Sequence, residues 1–259
     1  MKITILTLFP QMFDGFLTNS IIKRAISKKA AEINLLNIRD YTKDRYRRVD
    51  TPPVGGGAGL IMKVQPLVDA IKDAKNAHSH VILLSPRGKT YTQNMAKRLA
   101  NCNEIVLVCG HYEGVDERVG AYVDEEISIG DFVLTGGEIA AMAIADSLIR
   151  LQKGAITSSS LDEESFESGM LEYPQYTEPY DYEGRRVPDI LYSGNHAAIS
   201  KWRKKQALYI TRLYRPDLFA QLKLDRSEIK LLHEIDENIE PEWEKRPSKK
   251  GLSSSKNSF

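Results

Sequence analysis

No part of the chain approaches the ~18 consecutive apolar residues that a membrane-spanning helix needs, so the sequence carries no helical span and no membrane partner is expected. Cysteine is scarce. Cys102 and Cys109 form no metal-ligand pattern, and Cys109 ends an apolar run, which reads as a buried thiol in a reducing compartment. An excess of one charge is also lacking. Lys+Arg is 36 against Asp+Glu 35 in 259 residues, so any surface for nucleic acid must be local. The opening run MKITILTLFP is too short for a signal segment and has no small-residue cleavage site after it. It is expected to be a mature first strand of a cytoplasmic protein. Phosphate-binding motifs are missing too. SPRGKT ends in Gly-Lys-Thr, but the position five before Gly88 is Leu83, and no GxGxxG follows a strand. This argues against a nucleoside triphosphate or NAD site and favours a ligand with adenine and ribose but no phosphate.

Hydrophobic content of 42% and charged content of 27% are those of an ordinary globular protein. Strand-like runs recur at Ile3–Leu8, Ile33–Ile38, Val81–Leu84 and Ile105–Val108, with a weaker one near Val123–Ile129. Helical spacing lies between them: Phe13, Phe16, Leu17, Ile21 and Ala25 in one helix, Leu67 to Ala74 in another, Met95 to Leu99 in a third. This alternation predicts an α/β domain with a largely parallel sheet. A long helix from Glu138 to about Leu151 has a small-residue core, AAMAIA, suited to close packing against another helix, that of a subunit partner included. After the polar stretch TSSSLDEESFESG, the segment Tyr173–Tyr182 reads as extended. Asn195 or Ser193 caps a helix to about Leu213, and Ser227–Ile235 fits another. The expected division is an α/β domain over 1–156, a flexible linker over 157–172, a helical domain over 173–246 and a disordered tail over 247–259.

Glycine-bearing segments follow three of the strands: SPRGKT at 85–90, CGHYEG at 109–114 and IGDFVLTGGE at 129–138. In open α/β sheets, ligands sit at the carboxyl ends of strands, and glycine lets backbone approach a ligand closely. Three such segments are therefore expected to converge on one site. RRVDTPPVGGGAGL reads as a mobile loop or a flap with Asp50 as a polar contact. Two basic clusters surround an aromatic residue each: Lys43, Arg45, Arg47 and Arg48 around Tyr46, and Lys201, Arg203, Lys204 and Lys205 around Trp202. Lys201, Lys204 and Lys205 share a helical face. A solvated face is the plain reading; contacts to RNA phosphates are the functional one.

From ITILTLFPQMF through GGGAGL, LSPRG, GHYEGVDER and IGDFVLTGGE to VPDILYSGNHAAISKWR, the chain resembles the bacterial tRNA (guanine-N1)-methyltransferases, the TrmD family of SPOUT methyltransferases. The resemblance covers about 240 residues in order. It implies a trefoil knot in the parallel sheet, a small C-terminal helical domain, an obligate homodimer, S-adenosylmethionine as cofactor, and tRNA methylated at N1 of guanosine 37. It places Pro86, Gly88, Gly110, Tyr112, Ile129, Gly130, Asp131, Phe132, Val133, Leu134, Gly136 and Gly137 at the cofactor, with Glu113 near its methionine end. Asp50, Lys201, Arg203 and Lys204 are candidate substrate contacts. Mg²⁺ is implied by the family alone; the sequence offers no ligand constellation for a metal.

Guanine N1 is a poor nucleophile until its proton leaves, so the chemistry wants a carboxylate within reach and a guanidinium for the charge building on O6. By resemblance the guanidinium is Arg150, and the base is the acidic residue before Ser165-Phe166. Here that residue is Glu164, where the family has aspartate, and the connection from Arg150 is about one residue shorter. Asp162 is a substitute if the linker shifts. Other departures are Thr51 and Val54 for aspartate and tyrosine, Arg87 for glutamine, His111 for arginine, Glu172 for aspartate and Gln175 for histidine. A divergent but active enzyme is expected. The alternatives are a SPOUT methyltransferase of another RNA site and an RNA-binding protein that has lost catalysis.

Overall fold

A computed structural model describes residues 1–156, 165–166 and 169–244, in two compact units, Met1–Leu161 and Asp162–Phe259. Glu164, Asp162 and the 247–259 segment lie outside the described residues.

The first unit holds a parallel sheet of five strands: β1 (Lys2–Thr7), β2 (Glu32–Asn37), β5 (Ser79–Thr90), β6 (Glu104–Cys109) and β7 (Glu125–Ser128), in the order β2-β1-β6-β5-β7. Alternate residues feed two cores, as a pleated strand requires. Ile3 and Ile5, Ile82 and Leu84, Ile105 and Leu107 enter one. Leu6, Val81, Leu83, Val106 and Val108 enter the other. The first core is covered by α2 (Ser20–Ser27), α4 (Gln93–Ala100) and α5 (Glu138–Arg150). The second is covered by α3 (Val64–Ala74) through Leu67, Val68 and Ile71. Two further short strands, β3 (Asp50–Thr51) and β4 (Ile61–Met62), pair antiparallel.

Two local expectations need correction. The helix expected across Phe13–Ala25 is broken into a 3₁₀ turn (Pro10–Phe13), α1 (Asp14–Thr18) and α2. Asn19 is extended and Ser20 has φ +53°. The Thr18 hydroxyl and the Asn19 amide donate to the carbonyls of Asp14 and Gly15 at 2.7 and 2.9 Å. Such side-chain bonds offer the backbone an alternative to the continuing helix. SPRGKT, expected to be a loop, lies inside β5. Leu84 and Lys89 both align with Ile127 of β7, so residues 85–88 form an excursion between two paired stretches.

In the second unit the Asn195 side chain accepts from the Ala198 N–H at 3.2 Å and starts the helix His196–Tyr214. The helix Arg226–Asp236 begins with a reciprocal cap between Asp225 and Glu228. Its apolar face, with Leu231 and Leu232, packs with Leu208 and Met170.

Candidate functional site

The carboxyl ends of β5, β6 and β7 surround a cavity of about 430 Å³, within the usual range for small-molecule sites. Its lining comes from three chain segments. Leu83 to Arg87 belong to β5 and its excursion. Gly110 to Val115, with Glu117, follow β6. Ile127 to Gly130 and Phe132 to Gly137 leave β7, and Ala140 of α5 completes the wall. Of the residues expected at a cofactor, Pro86, Gly110, Tyr112, Glu113, Ile129, Gly130, Phe132, Val133, Leu134, Gly136 and Gly137 line this cavity; Gly88 and Asp131 do not. Ser85, Arg87, His111, Glu117 and Thr135 also line it. They stand inside the same motifs, so motif membership was the signal that could have named them.

The glycines differ in what holds them there. A Cβ on Gly88 would lie 2.5 Å from the Glu126 carbonyl carbon and 2.6 Å from that of Ile127. Gly88 is thus demanded by backbone crossing behind the cavity. A Cβ on Gly137 would lie 2.8 Å from Cys109 Cα, where α5 starts against the end of β6. Gly110 is unlike both. Its Cβ would meet nothing closer than Val115 at 3.5 Å, so neither packing nor a turn requires glycine. A ligand lying on the backbone does give a reason for it.

The expected flap is a hairpin whose base is β3 and β4, with Gly55, Gly56, Gly57 and Gly59 at positive φ near its tip. Met62 N–H donates to Gly114 at 2.9 Å and Glu113 N–H to Leu60 at 3.0 Å, tying the hairpin to the cavity wall. Asp50 faces Tyr112 from this hairpin. Burial and the bond donated to Asp50 push the Tyr112 phenol up, with Arg39 opposing. Tyr112 itself has φ +61°, an uncommon conformation for a bulky residue.

On the cavity's far side Arg87 joins Glu117 at 2.9 Å and Glu126 at 3.5 Å. Beneath the wall, Glu138 accepts from the Thr7 hydroxyl at 2.8 Å, and His111 Nδ1 lies 3.9 Å from it. Burial, with the Glu138 charge second, pushes the buried Cys109 thiol well up.

Arg150 stands elsewhere. It ends α5, whose first residues meet the cavity, so it is roughly 20 Å along the helix axis from that wall. It lines a shallow depression with Phe16, Ile139, Met142 and Asp146. Glu164 and Asp162, the candidate bases, lie outside the described residues.

The basic clusters are largely consumed internally. Lys43 pairs with Asp69 at 3.2 Å, Arg48 with Asp44 at 2.9 Å, and Arg47 with Asp40. In the second unit Lys201 lies over Trp243 at 4.3 Å, Arg203 over Tyr173 at 4.7 Å, and Lys204 pairs with Glu228 at 2.7 Å. Lys205 and Trp202 correct the expected phosphate-binding face. Lys205 is buried against Glu244 at 2.7 Å, because a buried ammonium must be paired. Trp202 is buried with Ile190 and Ala198, so its ring is core and offers no stacking surface. Among the described residues no three His, Cys, Asp or Glu side chains are grouped to hold a metal ion.

A model of the family tRNA (Guanine-1)-methyltransferase TrmD matches residues 1–221. The chain is 53% identical over 241 residues to the tRNA (guanine-N(1)-)-methyltransferase of Clostridium botulinum (strain Langeland / NCTC 10281 / Type F), covering 92% of this chain and 100% of that one. It is 55% identical over 234 residues to that of Clostridium novyi (strain NT), covering 90% and 97%, and 54% identical over 234 residues to that of Clostridium perfringens (strain 13 / Type A), covering 90% and 99%.

Proposed function

This chain belongs to the TrmD family of tRNA (guanine-1)-methyltransferases, and from that membership we infer that it methylates N1 of guanosine 37 in tRNA, with S-adenosylmethionine as methyl donor. The observation that carries the reading is the cavity at the strand ends, where the glycine segments of three strands meet. The lining suits this cofactor. It is wide enough for an adenosine with a short chain, Gly110 leaves backbone bare to a ligand, and the lining's guanidinium, Arg87, is paired with Glu117 and Glu126.

When bound, S-adenosylmethionine supplies an electrophilic methyl on a sulfonium. The remaining work falls to the chain. Glu164, from the linker, takes the N1 proton, so the ring nitrogen presents a lone pair to the methyl carbon. Arg150 stabilises the charge that grows on O6. The methyl then rests on N1, the proton on Glu164, and S-adenosylhomocysteine leaves. Since Arg150 is far from the cavity wall of its own chain, the reading includes a homodimer in which a second copy brings it close. Exposed Ile139, which lines the Arg150 depression, supports that surface. The reading also includes the trefoil knot and work in the cytoplasm on tRNA held by the helical unit. No step is routed through Mg²⁺, for which the described residues offer no cluster.

The test is methyl transfer from labelled S-adenosylmethionine to two tRNA transcripts that differ only in carrying guanosine or adenosine at position 37. Label should enter the guanosine transcript alone. Equal labelling of both overturns the site assignment. Binding of tRNA with no label in either supports the non-catalytic alternative.

A further inference from the structure

Behind the cavity wall lies a carboxylate that the transfer chemistry above does not use. Glu138 is 2% exposed and occupies the first turn of α5, where the helix dipole favours negative charge. Its Oε1 accepts from Thr7 at 2.8 Å. Its Oε2 and the His111 Nδ1 both press against the point where a Cβ on Gly136 would stand, and Gly136 lines the cavity. Glu138 is therefore separated from the ligand space by a residue without a side chain. The basic group facing it is His111, whose Nδ1 is 3.9 Å away, buried and without a hydrogen-bond partner. The rings of Phe9 and Tyr112 each lie 5.0 Å from the His111 ring.

A buried charge acts through low dielectric, whereas an exposed one is screened. The cavity's other carboxylates, Glu113 and Glu117, are exposed, and Glu117 is paired with Arg87 at 2.9 Å. Glu138, buried behind Gly136, is shielded from solvent as they are not. The donor and the product of methyl transfer differ in charge at a single atom: the donor has a sulfonium cation, the product a neutral thioether.

We propose that Glu138 is a positioning residue that sets the preference of the site for the sulfonium donor over the thioether product. The proposal rests on the S-adenosylmethionine reading of the cavity. It would let the product leave once the cation has been discharged, since the attraction ends with the transfer.

Calorimetric binding of S-adenosylmethionine, S-adenosylhomocysteine and sinefungin, whose amine is a cation in the place of the sulfonium, tests it on the full-length wild type, Glu138→Gln and Glu138→Asp. Glu138→Gln should weaken both cationic ligands about tenfold and change the thioether by less than about twofold. Glu138→Asp, which keeps the charge, should keep the preference. Equal weakening of all three ligands makes Glu138 merely structural, and an unchanged preference removes its charge from the account; either overturns the proposal. A wild type that binds none of the three overturns the cofactor reading itself, and the proposal with it.

Discussion

Glu164→Ala should slow methyl transfer to tRNA by about 10²- to 10⁴-fold while S-adenosylmethionine binds within about twofold of wild type. With Glu164 as the proposed proton acceptor, alanine removes that group and nothing from the cavity, whose lining is drawn from residues 83–140. Ser165 Oγ accepts the Glu172 N–H at 3.0 Å, Phe166 N–H donates to Met170 at 2.7 Å, and the Arg215 guanidinium lies 5.8 Å from the centre of the Phe166 ring. A carboxylate directly before this anchored pair can be delivered over a bound base. Glutamate and aspartate have similar basicity. Glu164→Asp, which restores the family's residue, should therefore retain transfer. Single-turnover rates and calorimetric affinities on the same preparations check both outcomes. If Asp162→Ala is the more damaging change, the base is Asp162.

Gly88→Ala should cost about 1–3 kcal/mol of stability, the range for overpacking a tight site, or roughly 2–4 °C of Tm per kcal/mol for a unit of this size. The clash is with the backbone of Glu126 and Ile127, which cannot rotate away as a side chain could. Gly110→Ala is the contrast. Its new methyl has ordinary contacts at 3.5 Å or more, so Tm should hardly move. The methyl would instead enter the ligand space and weaken S-adenosylmethionine binding. Thermal melts with and without the cofactor separate the two. If Gly88→Ala melts like wild type, the crossing behind the cavity is not tight. If Gly110→Ala binds the cofactor normally, Gly110 is not a cradle.

Much of the first unit was legible because its signals are local. The alternation in β1, β5 and β6 names both cores, while in the second unit Asn195 was one of two caps, with Ser193, that the spacing allowed. The D-x-x-E of Asp225 and Glu228 was equally readable as a cap, yet the spacing put the start at Ser227, one residue late. SPRGKT was misread because proline and glycine look like a loop, and only the partner strand shows that pairing resumes at Lys89. Lys205 and Trp202 follow the pattern of an outward basic face, but Glu244 and Ile190, distant in sequence, draw both inward. The same limit hid Glu138. A glutamate at a helix start is ordinarily solvated, and nothing near it in sequence says that Thr7 and His111 enclose it.

The central claim is the atom that receives the methyl. Transfer from labelled S-adenosylmethionine to tRNA, followed by digestion to nucleosides and chromatography against standards, measures it directly. The account predicts that all label elutes as 1-methylguanosine. Label in 2-methylguanosine, or in any methylated nucleoside other than 1-methylguanosine, would contradict it.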